Sequence, residues 1–539
     1  MVGIEASDTF DYVVVGAGTA GCVMAARLSE SGRHRVLLLE AGGADRSPWI
    51  HIPLGYGRHF DDPRVNWRYA SEPSPATGNR AIAQPRGKVL GGSSSINGLV
   101  YIRGQHEDYD HWAALGNAGW SASEVLPFFR RCEDQQRGGD AWHGTDGPLK
   151  VSDPVEPHPL CDAFIAAAQQ AGYRRNPDFN GERQDGFGYV QLTARGGLRS
   201  SAATAYLHPA RRRPNLEVRT GVHVTRLRVR ERRAQAVEML QDGQRVQVRA
   251  RREVIVCAGA FNSPQLLQLS GIGPAEQLQS LGIEVLADLP GVGANLQDHY
   301  NGRLVYECRH PWTLNSALAN PLRGLAAVLR YALRRKGLLA MGASYAAGFV
   351  STDPAVQRPD VQIGLALFSG DRAGRPLHRF PGFSVVVRLL RPASRGEVAL
   401  RSPDPMDAPV IRPGYLTDPR DLPALVAGMK AARDIMRQPA IAALVAREHD
   451  PGPGGIDDAS MEQHLRRRGG ISYHPVGTCA MGQGPLAVVD ARLRVHGVAG
   501  LRVIDASIMP TLVSGNTNAP TFMIAEKGAS MVLEDAADA

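Results

Sequence analysis

The chain has 539 residues, 43% of them hydrophobic, 21% charged and 6% aromatic, which excludes a disordered, collagen-like or coiled-coil protein. At roughly 100–200 residues per domain it is two or three domains' worth of chain, and no run approaches the roughly 18 apolar residues of a membrane span. The formal charge of +8 comes from 61 basic against 53 acidic residues. Arg211–Arg213, Arg251–Arg252 and Arg466–Arg468 have no aromatic residues interleaved for base stacking, so a nucleic-acid partner is excluded.

The opening residues, Met1 to Asp8, are polar and lack the basic head and hydrophobic run of a secretory leader. Cys22, Cys132, Cys161, Cys257, Cys308 and Cys479 form no CxxC pair. That is neither a disulfide framework nor a zinc site, so no metal is expected and a cytoplasmic location fits best.

Phe10 to Val15 is a β-branched run ending in Gly16-Ala17-Gly18-Thr19-Ala20-Gly21. A helical pattern follows over Cys22–Glu30, with Gly32 as its C-cap, then a strand over Arg35–Leu39 closing on Glu40. Strand, GxGxxG, helix, strand and acid make the full dinucleotide fingerprint. Gly16 permits the tight turn, Gly18 lets backbone approach a pyrophosphate, and Gly21 allows helix and strand to pack closely. The helix N-terminus with Thr19 faces the phosphates. Glu40 would accept hydrogen bonds from a ribose and repel a 2′-phosphate. The fingerprint alone leaves FAD and NAD open.

A second glycine-rich block, Gly87-Lys-Val-Leu-Gly-Gly-Ser-Ser-Ser-Ile-Asn-Gly98, suits backbone lying against a flat or anionic ligand. A third, Arg252 to Gly273, reads as a strand (Val254–Cys257), a Gly259 turn, an Asn262/Ser263 cap with Pro264 in the first helical turn, then a short helix. Pro321 to Ala340 places Leu322, Leu325, Val328, Leu329, Ala332 and Leu333 at helical spacing against Arg323, Arg330, Arg334, Arg335 and Lys336. The apolar stripe is expected to pack on the body of the protein with the arginines solvated. The other reading is a peripheral membrane contact that would suit delivery of electrons to a quinone. Farther on, Val361–Ala366 and Phe383–Leu390 read as strands, Glu397–Leu400 as a hairpin partner of the latter, and Asp421–Met436 and Met461–Arg468 as helices.

With these segments in hand, the sequence resembles the glucose–methanol–choline (GMC) flavoprotein oxidoreductases over essentially its whole length. Gly87–Gly104 and Gly259–Gly273 match the two family signatures, and Ser472–Gly482 and Gly515–Ala529 match the active-site and flavin-contact segments. The resemblance implies FAD rather than NAD. It implies an α/β fold: a Rossmann-like FAD-binding domain with an interleaved α+β substrate domain built on an antiparallel sheet. The implied segments are 1–155, 215–305 and 467–539 for the first and 156–214 and 306–466 for the second.

Carried over, Gly16, Gly18, Thr19, Gly21 and Glu40 would hold the ADP half of the cofactor. Val89, Gly91, Ser95, Asn97, Gly98 and Val100 would line the flavin and pyrophosphate, and Val224 would read the adenine. Asp505, Ala506, Asn516, Pro520 and Thr521 would sit near the pyrophosphate and isoalloxazine. Some relatives attach FAD through a histidine where this chain has Ile96, so non-covalent FAD is expected here. The implied catalytic pair is His474 as base and Asn518 as hydrogen-bond donor to the developing alkoxide.

Within the family, Ile52–Phe60, Asn66–Pro73 and Tyr101–Trp120 resemble the choline dehydrogenase-like and bacterial aliphatic or polyethylene glycol alcohol dehydrogenases. The expected reaction is oxidation of a primary alcohol to an aldehyde, with oxygen or a quinone-type carrier as acceptor. Choline as substrate, and a redox-silent flavin-containing lyase, are the alternatives.

Overall fold

The computed structural model describes residues 8–537 apart from 354, 356, 372, 373, 455 and 456. The segment before Asp8, which carried the expectation of no leader, lies outside the described residues.

Two large sheets organise the chain. In the first, strands Leu216–Thr220, Val36–Glu40, Thr9–Val15, Gln244–Val256 and Leu501–Val503 lie side by side in parallel. Val13, Val14, Leu37, Leu38, Val254 and Ile255 are fully buried. Such two-sided burial is what a continuous apolar run supports when helices cover both faces. Gln244–Val256 is long because its first half pairs antiparallel with Arg233–Gln241, while its second half joins the parallel core. Helix Thr19–Leu28 packs on the C-terminal helix Asn518–Ala537, where the Arg27 guanidinium meets the buried Glu526 carboxylate at 2.8 Å.

The second sheet is antiparallel, in the order Val445–Asp450, Tyr300–Cys308, Gly382–Leu389, Val361–Ala366, Ala346–Val350, Gly186–Tyr189. Phe383, Val385 and Val387 point into its core, against helix Asp421–Met436. A Cβ on Gly428 of that helix would stand 2.7 Å from Val387 Cγ1, so the glycine permits the close seat. Ser384, Val386 and Arg388 occupy the other face and look into a cavity.

Several local expectations are corrected. Helix Thr19–Leu28 ends with Ser29 as its C-cap, and Gly32 (φ +73) serves the turn beyond it. Helix Gly259–Leu269 begins ahead of the expected cap and contains Pro264. The carbonyl of Ala260, which would have received the missing proline N–H, accepts the Thr478 hydroxyl instead at 2.6 Å. Glu397–Ala399 pairs with Val410–Arg412 rather than with the preceding strand.

Strands Tyr300–Cys308 and Gly470–Ile471 both belong to the antiparallel sheet, so the chain crosses between the lobes near residues 299 and 472. The largest correction concerns helix Pro321–Arg334. Its only buried residue is Tyr331, and the aliphatic stripe faces outward, with Leu322 78% and Leu333 80% exposed.

Candidate active site

The carboxyl ends of strands Thr9–Val15 and Gln244–Val256 open onto one crevice, the usual ligand position of an open parallel sheet. The crevice continues beneath the antiparallel sheet as a cavity of about 1270 Å³, large enough for an extended dinucleotide and a small substrate together. Gly16, Gly18 and Thr19 form its floor. Gly16 has φ +97, and a Cβ there would meet the Cys257 carbonyl oxygen at 2.7 Å. A Cβ on Gly92 would stand 2.6 Å from Gly18 Cα, so the two glycine-rich turns meet backbone to backbone.

Gly18 itself faces open space, with its nearest neighbour at 3.9 Å. That cradle fits a pyrophosphate, which a side chain would displace. Glu40 lies beside it. Its carboxylate accepts the Ala17 and Gly42 N–H groups at 2.9 and 2.8 Å, and burial pushes its pKa up to about 7 against those bonds.

At the far end lies His474, 8% exposed, on a loop whose geometry is fixed by its neighbours. Tyr473 takes the left-handed φ of +63, a conformation that costs about 1–3 kcal/mol in a residue with a side chain. Arg86 Nη2 donates to the Tyr473 carbonyl at 2.6 Å, and the His474 N–H donates to Asp298 Oδ1 at 2.8 Å. Tyr415 donates to the other Asp298 oxygen at 2.8 Å.

The imidazole itself sits between two partners: Nδ1 lies 2.9 Å from His299 Nδ1, and Nε2 lies 2.9 Å from Asn516 Nδ2. The proton positions follow from the far end of this chain. His299 Nε2 is 3.0 Å from the Leu390 carbonyl, which can only accept, so His299 carries its proton on Nε2. His299 Nδ1 is therefore an acceptor and His474 Nδ1 the donor. That leaves the lone pair of His474 on Nε2, facing the cavity and the Asn516 amide. Burial pushes the pKa of His299 down to about 3. Burial, reinforced by His299 and Arg388, holds His474 well below the usual histidine range. A neutral imidazole whose Nε2 lone pair faces a cavity, held there by the Asn516 N–H, is a proton acceptor in waiting.

The pairing expected from the sequence is not the one found. Asn516, expected near the flavin, is the residue at His474, while Asn518 Oδ1 accepts the Thr19 hydroxyl at 2.8 Å. Two positions into Gly515-Asn-Thr-Asn518 the chain enters the C-terminal helix, which turns Asn518 toward the dinucleotide floor. Asn97, Gly98, Val100, Val224, Asp505, Ala506 and Thr521 all reach the cavity wall. Asp505 Oδ2 accepts the Gly259 N–H at 2.8 Å and the Ser263 hydroxyl at 2.6 Å, tying the third glycine block to the floor.

Gly21, Val89, Gly91, Ser95 and Pro520 stand behind the wall. A Cβ on Gly21 would lie 1.8 Å from the Gly16 carbonyl oxygen, Val89 packs with Ile50 and Val65, Ser95 Oγ donates to the Leu90 carbonyl at 2.7 Å, and Pro520 is buried. Sequence reading missed Asp298, His299 and Arg388. It also missed Arg199, whose guanidinium grips Asn97 Oδ1 at 2.6 Å and the Asn97 carbonyl at 2.8 Å. The polar run Asn295-Leu-Gln-Asp-His-Tyr300, abrupt before a strand, was the available signal for the first two.

A Rossmann-type floor facing an antiparallel roof, with a neutral histidine between them, defines a dinucleotide-dependent oxidoreductase. Family models described as GMC oxidoreductase match residues 10–301 and 392–525. The chain is 42% identical over 528 residues to the alcohol dehydrogenase [acceptor] of Pseudomonas putida, covering 97% of this chain and 96% of that one. It is 44% identical over 525 residues to the oxygen-dependent choline dehydrogenase of Rhizobium etli, covering 97% and 95%. A solved structure of Aspergillus oryzae formate oxidase, described in terms of its FAD modification, superposes with a TM-score of 0.93 at 26% identity, covering 98% of this chain and 99% of that one. The chain belongs to the GMC oxidoreductase family and binds FAD.

Proposed function

We propose that this flavoprotein oxidises a primary alcohol to the aldehyde, with His474 as the base and Asn516 as the donor to the substrate oxygen. The observation that carries this reading is the hydrogen-bond chain Leu390 carbonyl, His299, His474, Asn516, because it fixes an unprotonated Nε2 toward the cavity. A hydroxyl entering there gives its proton to Nε2. One N–H of the Asn516 amide then turns to the oxygen as negative charge grows on it, while His474 keeps its Nδ1–H on His299 throughout. Bound FAD supplies the hydride acceptor. The antiparallel sheet roofs this part of the cavity with Ser384, Val386 and Arg388.

The floor supports non-covalent binding. Ile96, which lines the cavity and packs toward Ile50, Val65 and Val89, offers no nucleophile for attachment to the flavin. For the electron acceptor we favour a quinone-type carrier met at a bilayer surface. Leu318, Leu322, Leu325, Val328, Leu329 and Leu333 are all about half exposed or more, and Arg323, Arg334, Arg335 and Lys336 border them. An apolar face rimmed by cations suits shallow burial among anionic lipid headgroups. Leu318 and Val328 also line the cavity mouth. Among the described residues no helix is long and apolar enough to cross a membrane.

The test is anaerobic mixing of the holoprotein with a series of primary alcohols. Loss of the oxidised flavin band together with stoichiometric aldehyde is the expected result. Product formed with the band intact would indicate a lyase, and no bleaching by any alcohol would remove the reading.

A further inference from the structure

We infer that the substrate is an alcohol carrying a carboxylate, and that Arg388 is the residue that selects it; this deepens the alcohol-oxidising reading above and rests on it. Arg388 projects from strand Gly382–Leu389 into the cavity, two positions along the same face from Val386 and four from Ser384. Its Nε donates to Ser472 Oγ at 2.7 Å and its Nη1 to Gln362 Oε1 at 3.0 Å, while Nη2 reaches only Ser344 Oγ, at 3.5 Å. Every one of these partners is a neutral oxygen. Arg388 forms no ion pair with any carboxylate among the described residues, and burial without a counter-charge pushes its pKa down to about 10.

Leaving a guanidinium desolvated and unpaired is costly, which is why such groups are normally matched to an anion. Two features show that the site is built to hold it. Arg388 stands in register between Asn301 on one neighbouring strand and Gln362 on the other, giving a polar row across the roof. Beneath it is Gly364, where a Cβ would come within 3.2 Å of Nη1 and 3.3 Å of Ser344 Oγ, so the guanidinium packs closely over the glycine and a side chain there would push it by a few tenths of an ångström.

Among the described residues no acid in or behind the cavity wall, Asp61 at the wall included, comes within ion-pair distance of Arg388. Asp298 lies behind the loop, accepting from Tyr415 and the His474 N–H, and Asp371, at the rim, is paired with Arg468. The anion is therefore to be supplied from outside. The planar fork of a guanidinium matches the two oxygens of a carboxylate better than a point charge does.

The position also sets the length of the molecule. Arg388 donates to Ser472, two residues before His474, and its charge is felt at the His474 imidazole, so the guanidinium and the base stand close together on one wall of the cavity. A short hydroxy acid spans that interval, with its carboxylate on Arg388 and its CH2OH at His474 Nε2. The O–H proton passes to His474 and the C–H hydride to bound FAD, giving the aldehyde acid and reduced flavin. Choline fits the same place badly, because its quaternary ammonium would face a guanidinium rather than a carboxylate or an aromatic cage.

The experiment compares holoprotein and the Arg388→Met and Gly364→Ala variants in anaerobic flavin reduction by 4-hydroxybutanoate, by neutral 1-butanol and by choline. In parallel, the perturbation of the flavin spectrum by non-oxidisable butanoate and by inorganic phosphate is titrated. We expect 4-hydroxybutanoate to be favoured over 1-butanol, and Arg388→Met to lower its kcat/KM about tenfold to a hundredfold, the range of a lost charged hydrogen bond. Because Arg388→Met also removes a charge felt at His474 and the bond to Ser472, the readout is the ratio of kcat/KM for 4-hydroxybutanoate to that for 1-butanol, which should fall about tenfold or more, and Gly364→Ala should lower the same ratio by shifting the guanidinium. Butanoate should bind more weakly to Arg388→Met by a similar factor, and flavin content should be unaltered.

Equal losses for acid and neutral alcohol, choline outperforming both, or butanoate binding that ignores Arg388 would each overturn the proposal. Phosphate binding tighter than butanoate would overturn the choice of carboxylate. Should no alcohol reduce the flavin, the oxidase or dehydrogenase reading fails, while the butanoate titration still decides the role of Arg388.

Discussion

Replacing His299 by leucine removes the acceptor of the His474 Nδ1–H and nothing that lines the cavity. The buried donor is then left unsatisfied, at a cost of about 1–3 kcal/mol, unless the imidazole shifts its proton to Nε2. That same cost of about 1–3 kcal/mol favours the shifted tautomer, in which the lone pair has left the cavity, so the rate constant for flavin reduction should fall about 5- to 150-fold. Substrate affinity should hardly move, so the loss appears in kcat rather than KM.

His299→Asn should recover most of it, because the asparagine Oδ1 takes the place of the histidine Nδ1 as acceptor. The assay is anaerobic stopped-flow reduction followed at the flavin band across pH. In the native protein the rate should be level from pH 6.5 upward, since burial, His299 and Arg388 keep His474 neutral there. An unchanged rate in His299→Leu, or an asparagine variant as slow as the leucine one, would refute the tautomer argument.

Asn516→Ala should lower the reduction rate by about tenfold or more, whereas Asn518→Ala should chiefly weaken FAD retention, as read by flavin content after dialysis; the opposite pattern would restore the sequence-based pairing. Acid precipitation should leave the flavin in the supernatant, and a coloured pellet would contradict non-covalent binding.

Leu322→Asp with Leu333→Asp should abolish co-flotation with anionic vesicles while sparing alcohol-dependent bleaching, and undiminished flotation would dismiss the helix as the contact. His143 is buried, which lowers its pKa, but Asp178 and Glu133 more than offset this and hold it up at about 9. Its contribution, at most about 3 kcal/mol, is complete below pH 6.5 and lost as pH rises through 9, so denaturant midpoints should decline over that window in the native protein and stay level in His143→Gln.

The parallel floor was legible because each of its parts is local. A β-branched run, glycines at fixed offsets and a terminal acid dictate strand, turn and helix within about 30 residues. Helix Asp421–Met436 and strand Val361–Ala366 were equally plain from periodicity. The partner of Glu397–Ala399 was not, because strand pairing is decided by which edges meet rather than by the strand's own residues. The exposed stripe of Pro321–Arg334 misled for a related reason: amphipathic spacing says that a helix has an apolar side, not that the protein covers it.

The sequence by itself determined a dinucleotide-binding floor, since glycine turns carry their chemistry in their own backbone, whereas the role of His474 came from the resemblance to the GMC flavoproteins. Only the tertiary structure decided which asparagine meets that histidine, which way its proton points and which guanidinium faces the substrate. Asp298 and His299 come from 175 residues or so away from His474, Arg388 from a third segment and Asn516 from a fourth. Hydrogen bonds reach about 3 Å, and no spacing along a chain reveals which of four distant segments will close to that range.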